Sequence, residues 1–359
     1  MEYQPGLKGI VAAESELSFI DGINGVLLYR GIPIERLVEK YSFEEIVYFL
    51  LYGEFANLAE IEKFKEKLIE NRQIPIYVQH IIDELPPNVA MMDVLRTAIS
   101  SLELSETNIY EDAIKLIAIF PTIIAYRYRN IMEKSIISPD VTHSHVENFL
   151  YMLTGEMDQT KAKILEAYLI LTMEHGLNAS TFSARVTIST ESDLVAAVTS
   201  ALGTMKGPLH GGAPTGVIDL LNEIRTFDRI NEVIMEKLMN KERIMGFGHR
   251  VYKTIDPRAE SLKKMIVTLE NLPKWMELAV KTEQETLKIL HDYKPNYKLY
   301  TNVEYYAAAI LKTLDLDPNL FTAIFSSSRI VGWCAHAIEQ RRNNSIFRPD
   351  VKYIGEMRY

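Results

Sequence analysis

Three histidines stand in settings that suit chemistry better than packing: His175 in EHGLNAST, His210 in KGPLHGGA and His249 in GFGHRVYK. Glycine beside a histidine lets the backbone approach a small molecule closely, a freedom that a histidine filling a core does not need. Together they read as an active site. In GPLHGGAP, Pro208 closes one helix, Pro214 opens the next in its first turn, and His210 lies in the connection. Facing the positive end of that next helix, His210 is expected to be neutral and to donate one N–H to a carbonyl oxygen as negative charge develops.

A second constellation follows in GFGHRVYKTIDPRAES. Asp256 is a good N-cap, Pro257 is preset for the first helical turn, and Arg258 comes where the helix dipole disfavours a cation. That placement points to a bound carboxylate or phosphate, with Arg250 and Lys253 adding charge nearby; a solvated surface arginine is the bland alternative. Arg329, in FSSSRIVGWCAH, shares a helical face with Phe325 and Trp333, so its charge sits on an apolar stripe and needs an anionic partner, either a ligand or a structural ion pair. Glu304 begins a helix after the Tyr300-Thr301-Asn302 turn, with Asn302 as its cap, and its plainest role is a first-turn acid complementing the dipole. Arg348 precedes Pro349 in an extended tail, from which it could reach an interface or solvent.

The elements that must position these residues are mostly helices. Ser42 and Glu45 form a capping-box pattern ahead of Ile46 to Tyr52, Gly53 supplies the stop, and Asn57 with Glu60 repeats the pattern before a helix that buries Ile61, Phe64 and Leu68. Helical periods follow at about 90–105, 112–133, 144–153, 160–174, 191–204, 214–224, 257–270, 273–291, 302–313 and 317–341. Before them, Leu17 to Arg30 flanks Asp21-Gly22 and Asn24-Gly25 with β-formers, which predicts a small hairpin. The fold class is therefore mainly α. Turns at 207–212 and 300–303 are the expected hinges, because each joins helical blocks beside a candidate catalytic residue. A large domain of 1–210 and 309–359 and a small domain of 211–308 follow from them.

Composition sets outer limits. The chain has 359 residues, 47% apolar and 24% charged, enough for a large core. A net charge of -9 argues against a nucleic-acid partner, although a local basic pocket remains compatible with it. Cys334 stands alone, so no intramolecular disulfide forms, and it reads as a small core residue in a reducing compartment. The start, MEYQPGLKGIVAAES, is broken by charge, Pro5 and two glycines, so a cytoplasmic location is expected. The longest apolar stretch, Leu116 to Tyr126, contains Pro121 and is too short for a bilayer, which predicts a buried helix and no membrane partner.

Taken together and in this order, the EH…NAST segment, GPLHGGA, GFGHRVYKTIDPRA, the TNVEYY helix, SRIVGW and a late RP resemble citrate synthase over essentially the whole chain. The likeness is greatest to the short, dimeric type, and within it to the minor citrate synthases of some Gram-positive bacteria. It implies an almost wholly helical fold whose large and small domains close over oxaloacetate and an acyl-CoA. It implies that His210 hydrogen-bonds the acetyl-CoA thioester carbonyl, that His249 polarises and protonates the oxaloacetate ketone, and that Glu304 removes the methyl proton. His175, Arg258 and Arg329 would grip oxaloacetate, with Arg348 donated by the second subunit of a homodimer. Lys253 and the backbone of Met245, Gly246, Phe247 and Gly248 would contact coenzyme A. Acetyl-CoA enters as a substrate, and neither a further cofactor nor a metal is implied.

The chain departs from the family pattern at Glu304, where aspartate is usual. An extra methylene moves the carboxylate by about 1 Å unless the backbone retreats, and misplacement on that scale costs roughly a hundredfold in rate. GLNAST is also slightly shorter than in some relatives, which reshapes the expected oxaloacetate pocket. The nearest alternative activity is 2-methylcitrate synthase, because one methylene in a pocket discriminates by only about 1–3 kcal/mol. A metal-dependent hydrolase built on the histidines and Glu304 lacks a short-spaced ligand pair. His143 and His145 do have an H-x-H spacing, but they follow a proline-containing loop, which predicts exposed or capping roles. An inactive scaffold that binds acyl-CoA is the remaining alternative.

Overall fold

The computed structural model describes residues 3–105, 107–211, 213–249, 251–267, 273–293 and 299–358. The expected hairpin is present: β1 (Ser18–Asp21) pairs antiparallel with β2 (Val26–Tyr29), placing Phe19 opposite Leu28. A third short strand, β3 (Ile32–Pro33), joins β2 on its other edge and was not foreseen. Asp21 shapes the β1–β2 turn by accepting hydrogen bonds from the backbone of Ile23 and Asn24.

Helices then carry the chain: α1 (Ile34–Lys40), α2 (Phe43–Tyr52), α3 (Leu58–Glu70), α4 (Ile76–Glu84), α5 (Met91–Ser100), α6 (Ile109–Ile131), α7 (His145–Thr154) and α8 (Gln159–Thr172). They continue as α9 (Ala179–Ser189), α10 (Leu194–Met205), α11 (Ala213–Ile224), α12 (Ile230–Met239), α13 (Pro257–Val267), α14 (Lys274–Tyr293), α15 (Val303–Thr313) and α16 (Phe321–Arg342). Both capping boxes form as the sequence predicts, at Ser42 and at Asn57, and each satisfies donors that the first helical turn leaves open. The predicted last helix is divided, with a 3₁₀ turn at Pro318–Leu320 before α16. The far end of the period predicted at 257–270 lies outside the described residues.

The core forms around α6 and α16. The apolar stretch with Pro121 is buried inside α6, and α16 crosses it while also packing on α2, α8, α9 and α10. Trp333 and Cys334 have no exposed surface there. α11, α12, α14 and α15 pack on one another, and α13 joins α15 to α1 and α8. Among the described residues no helix is long and apolar enough to cross a membrane.

One sequence expectation fails here. His145 begins a helix as predicted, but it is neither exposed nor a cap: Ser144 is the cap, and the buried imidazole stacks on Phe43 with ring centroids 4.8 Å apart. The lone H-x-H spacing carried no information about the aromatic ring waiting on α2.

Candidate active site

The chain leaves α8 at Thr172, passes through Glu174 and His175, and re-enters a helix at α9, capped by Asn178, whose side chain accepts from Thr181. Behind this crossing runs α16, and its face carrying Arg329, Trp333 and His336 meets it with polar contacts. Arg329 Nε donates to the Thr172 carbonyl at 2.8 Å, Trp333 Nε1 donates to Ser180 Oγ at 3.0 Å, and His336 Nε2 lies 3.1 Å from Glu174 Oε1. Ser18 Oγ donates to the same Glu174 oxygen at 2.8 Å. Burial alone would raise the Glu174 pKa, but His336, Arg329 and Ser18 together hold it below the ordinary carboxylate value.

Arg329 is 2% exposed, and among the described residues no carboxylate lies within ion-pair distance of it. Burial lowers its pKa to about 10, with Glu174 opposing the fall. The sequence demanded an anion for this charge; the protein places Glu174 within its field but does not pair the two.

His210 meets a helix N-terminus, although not in the way the sequence suggested. The observed contacts are with the start of α9, a helix the sequence did not reveal. The Ser180 backbone N–H donates to His210 Nε2 at 3.3 Å, and Ser180 Oγ lies 2.8 Å from the same nitrogen. The imidazole pKa falls to about 4, chiefly through burial and secondly through the Arg329 charge, so the expected neutrality has a different main cause.

On the opposite side, His249 Nδ1 accepts from the backbone N–H groups of Val251 and Tyr252, both at 3.1 Å. Its ring centroid lies 5.7 Å from that of His175, and the Tyr252 hydroxyl is 3.1 Å from His175 Nε2. Burial and then Arg258 lower His249 to about 4 and hold His175 well below its ordinary value. Arg258 Nη2 is 3.5 Å from His249 Nε2, a contact too long to count as a firm hydrogen bond.

Arg258 has a partner that the sequence did not reveal. Its position at a helix start suggested a bound anion, yet Asp256 already grips it, with Oδ1 3.0 Å from Nε and Oδ2 2.8 Å from Nη2. Asp256 Oδ1 also caps α13 by accepting from Arg258 N at 3.1 Å. Oδ2 reaches the start of α15, accepting from Val303 N at 3.1 Å. One carboxylate thus ties two helix starts together, leaving Arg258 with Nη1 outside this pair.

Glu304 follows Val303 in that first turn, capped by Asn302, whose Oδ1 accepts from Glu304 N at 3.1 Å. Burial raises the Glu304 carboxyl to about 7; Arg258 and Arg243 pull it down while Asp256 pushes it up. The Asn302 turn is locked by the glycine loop: Asn302 N donates to the Gly246 carbonyl at 2.9 Å, Asn302 Nδ2 donates to the Gly248 carbonyl at 2.9 Å, and Gly248 N donates to the Tyr300 carbonyl at 2.8 Å.

The structure therefore gathers His175, His249 and Arg258 around Tyr252, and brings Glu304 within the field of Arg258, His210 within that of Arg329, and the two arginines within each other's. Gly246, Phe247 and Gly248 lie against the Asn302 turn, and the Phe247 ring packs on Tyr305, while Met245 is half-buried and Lys253 exposed. Arg250 lies outside the described residues. Arg348 is not with the others: it is exposed in the tail after α16, beside a cavity of about 840 Å³ lined also by Arg185, Glu339 and Phe347. Glu174, Ser180 and Tyr252 were missed, although each lies within a few residues of a flagged histidine. Among the described residues no three His, Cys, Asp or Glu side chains converge as metal ligands.

A mainly helical protein that brings together neutral histidines, a raised carboxyl and a buried arginine with no ion pair among the described residues is equipped for acid–base chemistry on an anionic substrate. Its relatives narrow that class. The family model for the citrate synthase C-terminal domain matches residues 6–350. Citrate synthase 2 of Bacillus subtilis is 41% identical over 98% of this chain and 95% of its own length, and the citrate synthase of Deinococcus radiodurans is 40% identical over the same shares. The crystal structure of citrate synthase from Thermotoga maritima superposes with a TM-score of 0.91 at 43% identity, covering 100% of this chain and 97% of that one. The ternary complex of Thermoplasma acidophilum citrate synthase with carboxymethyl coenzyme A and oxaloacetate also gives 0.91, at 30% identity and the same coverage. The chain belongs to the citrate synthase family.

Proposed function

We propose that this chain condenses acetyl-CoA with oxaloacetate and hydrolyses the resulting citryl-CoA to citrate and coenzyme A. The observation that carries the reading is the buried Arg329, without a paired carboxylate among the described residues, together with two neutral histidines, His210 in its field and His249 beside Arg258, whose tautomers follow from their partners. A backbone N–H can only donate. His210 Nε2, accepting from Ser180 N, therefore leaves its hydrogen on Nδ1; His249 Nδ1, accepting from Val251 and Tyr252, leaves its hydrogen on Nε2.

Each step then has a donor or acceptor in hand. Glu304 takes a proton from the acetyl methyl while His210 Nδ1–H hydrogen-bonds the thioester oxygen, where negative charge develops. The enol(ate) carbon attacks the oxaloacetate ketone carbon, and His249 Nε2–H delivers its proton to the ketone oxygen. Water then cleaves the thioester. Arg329, Arg258 and His175 hold oxaloacetate, Arg348 of a partner subunit completes its grip, and acetyl-CoA enters as substrate with no further cofactor. Lys253 and the Met245–Gly248 loop are read as coenzyme A contacts, the loop mainly through its shape, since Gly246 and Gly248 already bond the 300–302 turn.

A homodimer is supported by the tail, where Ile346, Val351, Tyr353 and Ile354 are all exposed in the single chain. The division into 1–210 with 309–359 and 211–308 is supported by the mutual packing of α11, α12, α14 and α15, and a cytoplasmic location by the single, buried Cys334, which suits a reducing compartment. Relatives named citrate/2-methylcitrate synthase, from Bacillus subtilis at 38% identity, and 2-methylcitrate synthase, from Shewanella oneidensis at 36%, favour propionyl-CoA as a second acyl donor. Oxaloacetate-dependent thiol release tests both readings. Faster release from acetyl-CoA than from propionyl-CoA is expected; the reverse order would make the chain a methylcitrate synthase, and no release from either would end the proposal.

A further inference from the structure

The N-terminal hairpin lies far from the histidines in sequence, yet it touches both segments that carry the oxaloacetate-facing pair. At one end of β1, Ser18 Oγ donates to Glu174 Oε1 at 2.8 Å and accepts from Gly176 N at 3.1 Å, bracketing His175. At the other end, the Gly22 carbonyl accepts from Lys253 N at 2.7 Å, one residue beyond Tyr252. His175 and Tyr252 are themselves in contact at 3.1 Å, so the hairpin spans a junction between two loops.

The closeness of the turn is built into its glycines. A Cβ on Gly22 would stand 2.3 Å from the Val251 carbonyl oxygen, and one on Gly25 would stand 2.7 Å from that of Ile255. Both obstacles are backbone atoms, which cannot swing aside as a side chain can. Gly25 also has φ +69°, a conformation that side chains disfavour.

We infer that the β1–β2 hairpin is a positioning clamp of the active site: Ser18 fixes the 174–176 segment, Gly22 and Gly25 seat the 251–255 segment, and together they set the spacing of His175 from Tyr252 and His249. The inference rests on the reading of this site as an oxaloacetate site. Two loops from separate parts of the chain meet where His175 faces Tyr252 and His249, and the hairpin ties down the backbone of both. Moving either loop by about 1 Å would misalign the ketone-facing histidine, an error that costs on the order of a hundredfold.

The test is steady-state kinetics on the full-length enzyme with both substrates varied. Wild-type turnover is measured first, so that failure of the condensation reading shows itself before any variant is judged. Gly22→Ala is expected to raise the KM for oxaloacetate roughly ten- to hundredfold while changing the KM for acetyl-CoA less than about twofold, with circular dichroism unchanged. Ser18→Ala, which introduces no steric conflict, is expected to raise the oxaloacetate KM about two- to tenfold, as loss of a hydrogen bond should. Ser18→Thr, which keeps the hydroxyl, should restore most of it. Ile23→Ser, in the same turn but with an exposed side chain, should behave as wild type. A wild-type oxaloacetate KM in Ser18→Ala, or equal loss toward both substrates in every hairpin variant including Ile23→Ser, would overturn the clamp.

Discussion

Arg258 and Arg329 are buried to 3% and 2% exposure, and the two regions that hold them treat the charge in opposite ways. Arg258 belongs to a loop-and-helix-start region in which Asp256 neutralises it at two nitrogens and uses the same oxygens to fasten α13 and α15. Arg329 belongs to a helix face, donates to the Thr172 carbonyl, and has its nearest acid, Glu174, engaged at Oε1 by Ser18, Gly176 and His336, with Oε2 making no hydrogen bond among the described residues. The first arginine is part of the scaffold as much as of the site. The second is left with charge to offer, which is what a site for a dianion requires, since a buried cation without a close partner gains most from an incoming carboxylate.

The largest effect should come from the Asp256 side, at Glu304. Glu304→Gln keeps shape but removes the proton acceptor, so turnover should fall by about 10²–10⁴ while oxaloacetate affinity, measured calorimetrically, stays unchanged. The same residue sets the pH response. A carboxyl raised from 4.5 to about 7 is protonated, and useless as a base, below neutrality. In a pH profile kcat/KM for acetyl-CoA should therefore climb through an acid limb near pH 7. His210 and His249, both at about 4, are neutral on either side of that limb. A limb near the ordinary glutamate value would place the base elsewhere.

Next in size is the contrast between the arginines themselves. Arg258→Leu leaves Asp256 buried without its cation and should cost about 3–5 kcal/mol of folding stability in denaturant titration. Arg329→Leu breaks no ion pair among the described residues and leaves Glu174 its three partners on Oε1, so stability should fall less than in the Arg258→Leu protein, by about 1–3 kcal/mol as the buried Glu174 loses the cation in its field. Oxaloacetate binding should still weaken by about 2–5 kcal/mol in the Arg329→Leu protein. Equal destabilisation by both substitutions would erase the distinction between the regions.

The smallest expected effect refines the Asp256 side. Asn302→Ala removes the cap of α15 and should cost about 1 kcal/mol of stability, with turnover falling while the oxaloacetate dissociation constant holds. A changed dissociation constant would mean that the cap serves the substrate pocket and not the base alone.

What could be read from the sequence follows the same division. Segments that announce themselves by punctuation were legible: the capping boxes at Ser42 and Asn57, the stop at Gly53, the hairpin turn, and the glycine-flanked histidines. α9 was not, because Ala179–Ser189 is rich in serine and threonine and shows no apolar stripe; its helix is stabilised by packing on α10 and α16 rather than by propensity. Missing α9 hid the true partner of His210. The Asp256–Arg258 pair is hidden differently: a cap and a first-turn cation two residues later are each legible alone, but their spacing does not say that one answers the other. Glu174 gave no signal beyond standing next to His175.

Cys334 sits on α16 with no exposed surface, and burial pushes its thiol far above the ordinary value. The native chain is therefore chemically silent toward mild maleimides and toward the disulfide dyes that would report released coenzyme A. A cysteine introduced at an exposed position away from the tail, at Leu58 for example, would be the sole exposed thiol, so a spin label or fluorophore could be attached to the chain at one known position without first engineering the native thiol away.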